Sequence, residues 1–290
     1  MKKLKVYYAK LPNMGDLLNE LILEGLFGVT IEHTQQPNDF DVMGIGSCLG
    51  NVFPSRGADT RLVPKVKRLA LGVVEGMTTP HSWVWSTGFL TNPADKPREC
   101  RKNLSFLAVR GALSKANVER ITHQKLDIPV GDGGLLADQL IEGARETRYE
   151  VGLIPHFREM DCPQMAMLLE RYPNAGVIDL TKDPIEVIRE ISQCAHIFSS
   201  SLHGLVVADS LRIPNMRVYL TDAPKGDGFK YDDYYSAYGI KVEPFVIAPD
   251  HTPKLNELID GYRVPADAVD AAKKALYAAM SAFLKARGNA

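Results

Sequence analysis

The chain is poor in the residues that would make its purpose obvious. Among 290 residues there are four cysteines, Cys48, Cys100, Cys162 and Cys194, far apart and without a CxxC pair. That spacing suggests neither a zinc site nor a disulfide framework. It reads as reduced thiols in a cytosolic protein. Charge of one sign is also missing: the formal net charge is −1. Nothing therefore calls for nucleic acid or a strongly anionic membrane as main partner, although local basic patches stay open. No run approaches the ~20 apolar residues of a spanning helix. The opening Met1–Ala9 stretch has no long apolar core and no cleavage site, and reads as a first strand instead of a leader. No short repeat is visible.

What is present is ordinary for a globular protein: 45% hydrophobic and 24% charged residues. The length allows two domains of about 150 residues each. Apolar strand-like runs alternate with helical patterns. Strands are expected at Leu4–Ala9, Asp41–Gly46, Val66–Val73, Trp83–Thr87 and Ser105–Arg110, with helices over 16–27 and 111–120. The polar stretch Glu142–Glu150 precedes a fresh strand at Tyr149–Pro155, which places a boundary near residue 146. The alternation then resumes, with helices at Cys162–Arg171, Pro184–Ser192 and Gly204–Leu211 and strands at Gly176–Asp179, Ala195–Ser199 and Asn215–Leu220. Such alternation predicts α/β units around mainly parallel sheets. From Pro265 to Arg287 a long helix is expected, with Val269, Leu276, Met280 and Phe283 on one face. Its alanine-rich face fits packing onto the domains better than a membrane surface, which favours bulk.

The most informative segment is Ser199-Ser-Ser-Leu-His-Gly204. A strand meets three serines and a histidine at a helix start, where free N–H groups attract phosphate or carboxylate. Ser201 could equally be a helix cap. A metal role for His203 is disfavoured, because His196 lies across a strand and turn and no third ligand is apparent. A second helix start, Asn13-Met-Gly-Asp16 with Asn19, follows strand 1, where ligands of open α/β sheets bind. The turn Gly44-Ile-Gly46-Ser47 has GxGxxxG spacing and no clear acidic ribose partner, so it fits a glycine turn facing a cleft better than a dinucleotide site. Arg110 leaves a strand into a helix start and could grip an anion in two-pronged fashion, or form a salt bridge. His156 ends the strand at Ile154 and could line the same crevice as His203, or be structural. The stretch Lys225–Tyr238 mixes aromatics and carboxylates. As a mobile covering loop it suits a sugar, with rings of Tyr231 and Tyr234 stacking and Asp232 and Asp233 accepting from hydroxyls; otherwise it is an ordinary tyrosine-rich loop held by packing.

Taken in order, Asn13–Asn19, Gly44–Gly50, Val109-Arg-Gly111, Gly131-Asp-Gly-Gly-Leu-Leu136, Ile154-Pro-His156, Ser200–Asp209 and the Lys230–Tyr235 stretch resemble the polysaccharide pyruvyl transferase family. The resemblance implies two Rossmann-like domains in a glycosyltransferase-B-like arrangement. Their bounds here would be 1–146 on the acceptor side and 147–264 on the donor side, with the helix at 265–290 packed back on both. It implies transfer of a pyruvyl group from phosphoenolpyruvate to two sugar hydroxyls as a cyclic ketal, with no cofactor and no metal. The acceptor would be a saccharide of a surface or extracellular polysaccharide, in some cases lipid-linked. Placement would be cytoplasmic, with peripheral association at the inner membrane face left open, as is the oligomeric state.

On this reading His203 is the acid, and His156 or Asp16 the base. Arg110, Ser199, Ser200, Ser201, Leu202, Gly204 and Lys230 face the donor. Asn13, Gly15, Asn19, Gly46, Ser47, Tyr231, Asp232, Asp233 and Tyr234 face the acceptor. One departure stands out. Many family members carry arginine immediately before Leu-His-Gly, whereas this chain has Ser201, so another cation must serve; Arg110, Arg158, Lys225 and Lys230 are available. Gly133 also stands where proline is frequent. Two other readings share the pattern: a nucleotide-sugar glycosyltransferase on the same architecture, although no ribose-binding glutamate is identifiable, and a non-catalytic anion- or sugar-binding module.

Overall fold

The computed structural model describes residues 3–54, 79–95 and 98–288. Two parallel five-stranded sheets organise them. The first has strands β1 (Lys3–Tyr7), β2 (Thr30–Thr34), β3 (Val42–Met43), β4 (Ser82–Val84) and β5 (Leu104–Phe106), in the order β2-β1-β3-β4-β5. Single parallel bridges Gly46–Thr87, Thr87–Val109 and Val109–Val130 carry the pairing beyond the strand ends. The second sheet has β6 (Tyr149–Ile154), β7 (Gly176–Val177), β8 (Cys194–Ser199), β9 (Asn215–Tyr219) and β10 (Phe245–Val246), ordered β10-β9-β8-β6-β7. Parallel strands need crossover connections, and helices supply most of them.

Those helices are α1 (Met14–Phe27), α2 (Ala112–Thr122), α3 (Pro163–Arg171), α4 (Pro184–Ser192), α5 (Leu202–Ser210), α6 (Phe229–Ser236), α7 (Leu255–Gly261) and α8 (Ala266–Gly288). Their ends follow local chemistry. The Asn13 side chain accepts from Gly15 N at the start of α1, and Gly28 closes that helix at φ 62°. Asp183 caps α4 through the N–H groups of Ile185 and Glu186, with Pro184 at the first helical position.

The expected strands and helices are present within a few residues of their predicted bounds, apart from Val66–Val73, which lies outside the described residues. Three further elements carry no clear sequence signal. β2 lies half-exposed at the sheet edge and shows no apolar alternation. β10 and α7 are short. The stretch expected to be a mobile covering loop contains α6, with Tyr231, Tyr234 and Tyr235 buried.

One apolar cluster joins the two halves. Leu4, Val6 and Trp85 from the first meet Ile154, Ile178 and Leu180 from the second, together with Leu276, Met280 and Phe283 of α8. Helix α8 thus packs on both halves. Trp85 Nε1 donates to Leu276 O at 3.2 Å. Lys273, which composition alone would place on a basic outer face, is buried and reaches Asp138 and Ser210 O, each at 2.7 Å. No helix of the described residues is long and apolar enough to cross a membrane.

Candidate active site

Two helix starts from opposite halves face each other where the sheets end. Met14 N donates to Leu180 O at 2.7 Å, which sets the first turn of α1 beside the second half. Gly15 and His203 pack directly against each other. A Cβ on Gly15 would lie 1.9 Å from His203 Nδ1 and 2.5 Å from Cγ. Glycine is required here because the ring occupies the space where a side chain would stand.

The turn from β8 to α5 is held by its own serines. Ser199 Oγ accepts from Ser201 N at 3.0 Å and sits 2.9 Å from Ile154 O. Ser200 Oγ donates to Glu159 at 2.6 Å and accepts from His156 N at 2.9 Å. Glu159 also takes the N–H and hydroxyl of Thr221. Buried hydroxyls need partners, so Ser199 and Ser200 build the turn instead of offering their hydroxyls to a ligand. Ser201 stands at the cap position of α5 but makes no side-chain cap bond. Gly204 is required by packing, since a Cβ there would come within 2.4 Å of Ser199 Oγ. Leu202 is buried against Leu135 and the tyrosines of α6.

Around His203 the electrostatics are unusual. Burial lowers its pKa; Asp132 opposes that, and Arg110 and Lys230 add to it. Asp16, at the α1 start, is pushed up to about 7 by burial, partly offset by the Leu11 backbone and Lys230. Lys230 is pulled down to about 8 by burial, with Arg110 and Arg217 in the same direction and Glu159 and Asp16 against. His156 is lowered to about 4, by burial first and then by Lys230 and Arg158. One half-buried ammonium therefore lies within electrostatic reach of Asp16, His156 and His203. Among the four cations considered for the missing arginine, Lys230 is the one so placed. Arg158 and Lys225 are exposed.

Arg110 is fully buried and each of its nitrogens is engaged. Nε donates to Asp233 at 3.0 Å, Nη1 to Ser47 Oγ at 2.8 Å and Gly46 O at 3.3 Å, and Nη2 to Phe89 O at 2.6 Å. The two-pronged anion grip expected of it is occupied by protein groups. Its salt-bridge alternative holds, in the interior and not on the surface. Asp233 is equally buried and also accepts from Ser114 N and Oγ at 2.6 and 2.7 Å, capping α2 from the other half of the chain.

The expected acceptor residues separate into two groups. Asn13, Gly15, Gly46 and Ser47 lie near Asp16; a Cβ on Gly46 would sit 3.8 Å from Asp16 Oδ1. Asn19 is fully buried and stitches α1 to Ile45, accepting from its N–H at 2.7 Å and donating to its carbonyl at 3.1 Å. Tyr231 and Tyr234 face inward: their hydroxyls donate to Ser200 O and Asp209, each at 2.6 Å. Asp232 is half-exposed, 3.8 Å from Arg217 Nη1. The stacking platform expected of these rings is absent because helix formation turns them into the core. Asp132, Glu159 and Arg217 join the site, and of these only Asp132 belongs to a motif read from the sequence. The Gly131-Asp132-Gly turn is the only local signal for any of them.

Asp16 carries a testable sign. Its folded pKa lies above the usual ~3.9, so the folded state holds a proton the unfolded chain has lost. Stability therefore falls as pH rises from about 4 to about 7, then levels. Asp16→Asn should melt like wild type near pH 4 and above it at pH 8, by no more than about 4 kcal/mol. Equal melting temperatures at both pH values would mean that the carboxyl is solvated.

The fold and site define an α/β protein of two parallel sheets, with a histidine and a carboxyl of raised pKa at two facing helix starts and a lysine within electrostatic reach of both. Among the described residues no group of three His, Cys, Asp or Glu side chains is placed to hold a metal ion. Residues 79–220 match the family model of polysaccharide pyruvyl transferase, so the resemblance read from the motifs holds over that segment. An uncharacterized protein of Acanthamoeba polyphaga mimivirus is 32% identical over 142 residues, covering 47% of this chain and 49% of that protein. The chain thus spans about half the length of this curated relative. His203, Asp132 and His156 lie inside the matched segment, whereas Asp16 and Lys230 come from outside it.

Proposed function

We propose that the protein transfers a pyruvyl group from phosphoenolpyruvate to two hydroxyls of a saccharide, forming a cyclic ketal and releasing phosphate. The observations that carry this reading are the contact of Gly15, beside Asp16, with His203 of the matched segment, and the electrostatic reach of Lys230 to both Asp16 and His203. The halves 1–146 and 147–264 act as Rossmann-like domains in a glycosyltransferase-B-like arrangement, with acceptor and donor on opposite sides. The acceptor belongs to a surface or extracellular polysaccharide precursor, met at the cytoplasmic face of the membrane. The chemistry calls on protein cations and needs no metal.

Lys230 and the start of α5 hold the donor's phosphate and carboxylate. That negative charge raises the pKa of His203, so a ring that is neutral at rest becomes protonated in the complex. His203 then gives its proton to the methylene carbon, which becomes the methyl group. The first hydroxyl oxygen bonds to C2, phosphate leaves with the electrons of its C–O bond, and the second hydroxyl closes the ketal. Of the two hydroxyl protons, one restores His203 and the other leaves on phosphate. Asp16, with a pKa near 7, suits the transfer of a hydroxyl proton at neutral pH. His156, at about 4, is a weak base whose Nδ1 already accepts from Arg158 N, which fits a donor of one hydrogen bond instead.

The test is phosphate release from phosphoenolpyruvate in the presence of saccharide acceptors, with the acid-labile ketal identified by mass. Release that needs no acceptor, or none with any acceptor, would count against transfer. Lys230→Met should raise the KM for phosphoenolpyruvate by about 10-fold or more, the worth of one charge-assisted contact, with Lys230→Arg recovering part of it. An unchanged KM would remove Lys230 from the donor site.

A further inference from the structure

Asp132 is fully buried where the first sheet ends, in the Gly131-Asp132-Gly133 turn. One carboxylate oxygen is plainly structural, since Oδ1 accepts from Gly134 N at 2.9 Å and caps the short 3-10 helix Gly133–Leu140. The other, Oδ2, is buried with no partner. It faces His203 Nε2 at 3.9 Å, and Nε2 is likewise buried with no partner. Two unpartnered buried polar atoms of complementary chemistry, aimed at each other, are rare in a folded protein. Their separation exceeds a hydrogen bond, and a small rotation of the ring closes it. The opposite ring nitrogen, Nδ1, lies against Gly15 on the α1 side, where Asp16 stands. The other charged groups acting on the ring are Arg110 and Lys230.

We propose that Asp132 is a positioning residue that holds His203 with its proton on Nε2, so that Nδ1, beside Gly15, is the atom that exchanges a proton with the substrate. A carboxylate accepts and does not donate, so it selects the Nε2–H tautomer. The ring is thereby oriented, and the imidazolium formed during turnover gains a buried counter-charge. The catalytic consequence rests on the pyruvyl transfer reading; the tautomer does not.

The experiment is nitrogen NMR of the full chain labelled at histidine, with the His203 signals assigned by their loss in His203→Gln. In wild type at neutral to mildly alkaline pH, the His203 Nε2 should show the protonated-type shift and Nδ1 the unprotonated type. Asp132→Asn keeps an acceptor for Gly134 N and turns an amide donor toward Nε2, so the tautomer should switch to Nδ1–H. Turnover should fall about 10- to 100-fold or more, with the KM for phosphoenolpyruvate altered far less. Asp132→Glu should recover the wild-type tautomer in part. A wild-type ring already protonated on Nδ1, or the same tautomer in Asp132→Asn, overturns the assignment. Should Asp132→Asn fail to fold, the wild-type spectrum alone decides. A tautomer switch in a protein that transfers no pyruvyl group would leave the positioning role standing and defeat the functional reading.

Discussion

Gly15→Ala is expected to lower turnover about 10²-fold or more, as far as His203→Ala does, while leaving the protein folded. The added methyl would stand 1.9 Å from Nδ1 and 2.5 Å from Cγ of His203. Cγ is the root of the ring, so no rotation about the far end of the side chain relieves the overlap. The ring must leave its place between Gly15 and Asp132. Stability should fall by about 1–3 kcal/mol, the cost of displacing a buried ring, offset only in part by helix propensity. Gly15 lies in the first turn of α1, and alanine is a better helix residue than glycine by roughly 0.5–1 kcal/mol. The paired measurement is phosphate release against melting temperature. An active, folded Gly15→Ala protein would show that the His203 ring does not lie against Gly15, and the crevice would lose its acid.

Arg110→Ala is expected to destabilise the protein by about 3–5 kcal/mol. Its partner Asp233 is fully buried and would be left without a counter-ion. Ser47 Oγ, Gly46 O and Phe89 O would lose a donor as well. The pair also joins the two halves, since Asp233 sits on α6 and caps α2 through Ser114. A Cβ on Gly111 would meet Asp233 O at 1.7 Å, so the backbones there touch. Loosening α6 would carry Lys230 away from the crevice, and the KM for the donor should rise in any protein that still folds. Urea unfolding followed through the midpoint, with its slope checked, measures the first effect. A double-mutant cycle with Asp233→Ala isolates the pair from the lost packing. Additive single effects would mean that the two charges do not act together.

The alternation of strands and helices is legible in the sequence because it rests on local signals. Val151–Ile154 is an apolar run, Pro184–Ser192 carries an aspartate cap and a proline at its start, and Ala266–Gly288 repeats apolar residues at helical spacing. The remaining elements lack such signals. The edge strand Thr30–Thr34 has one aliphatic residue, Ile31, so no apolar alternation shows. Six of the eight residues of the helix Phe229–Ser236 are aromatics or aspartates, which are weak helix formers, and burial of its tyrosines holds it in place.

The same division runs through the site. A histidine at a helix start after a serine turn is a local pattern, and so is an asparagine–glycine–aspartate helix start after the first strand. Sequence alone therefore determined a parallel α/β chain, a histidine at one helix start and an aspartate at another, and a family resemblance that the family model matches over residues 79–220. Tertiary structure decided what each charged group does. Arg110 reads locally as an anion grip, yet its partner Asp233 lies 123 positions further along the chain. Lys230 and Asp16 owe their shifted pKa values first to burial. Asp132 meets His203 across the two halves. Charge pairing and desolvation depend on distance in space and on depth, and no spacing along a chain encodes either.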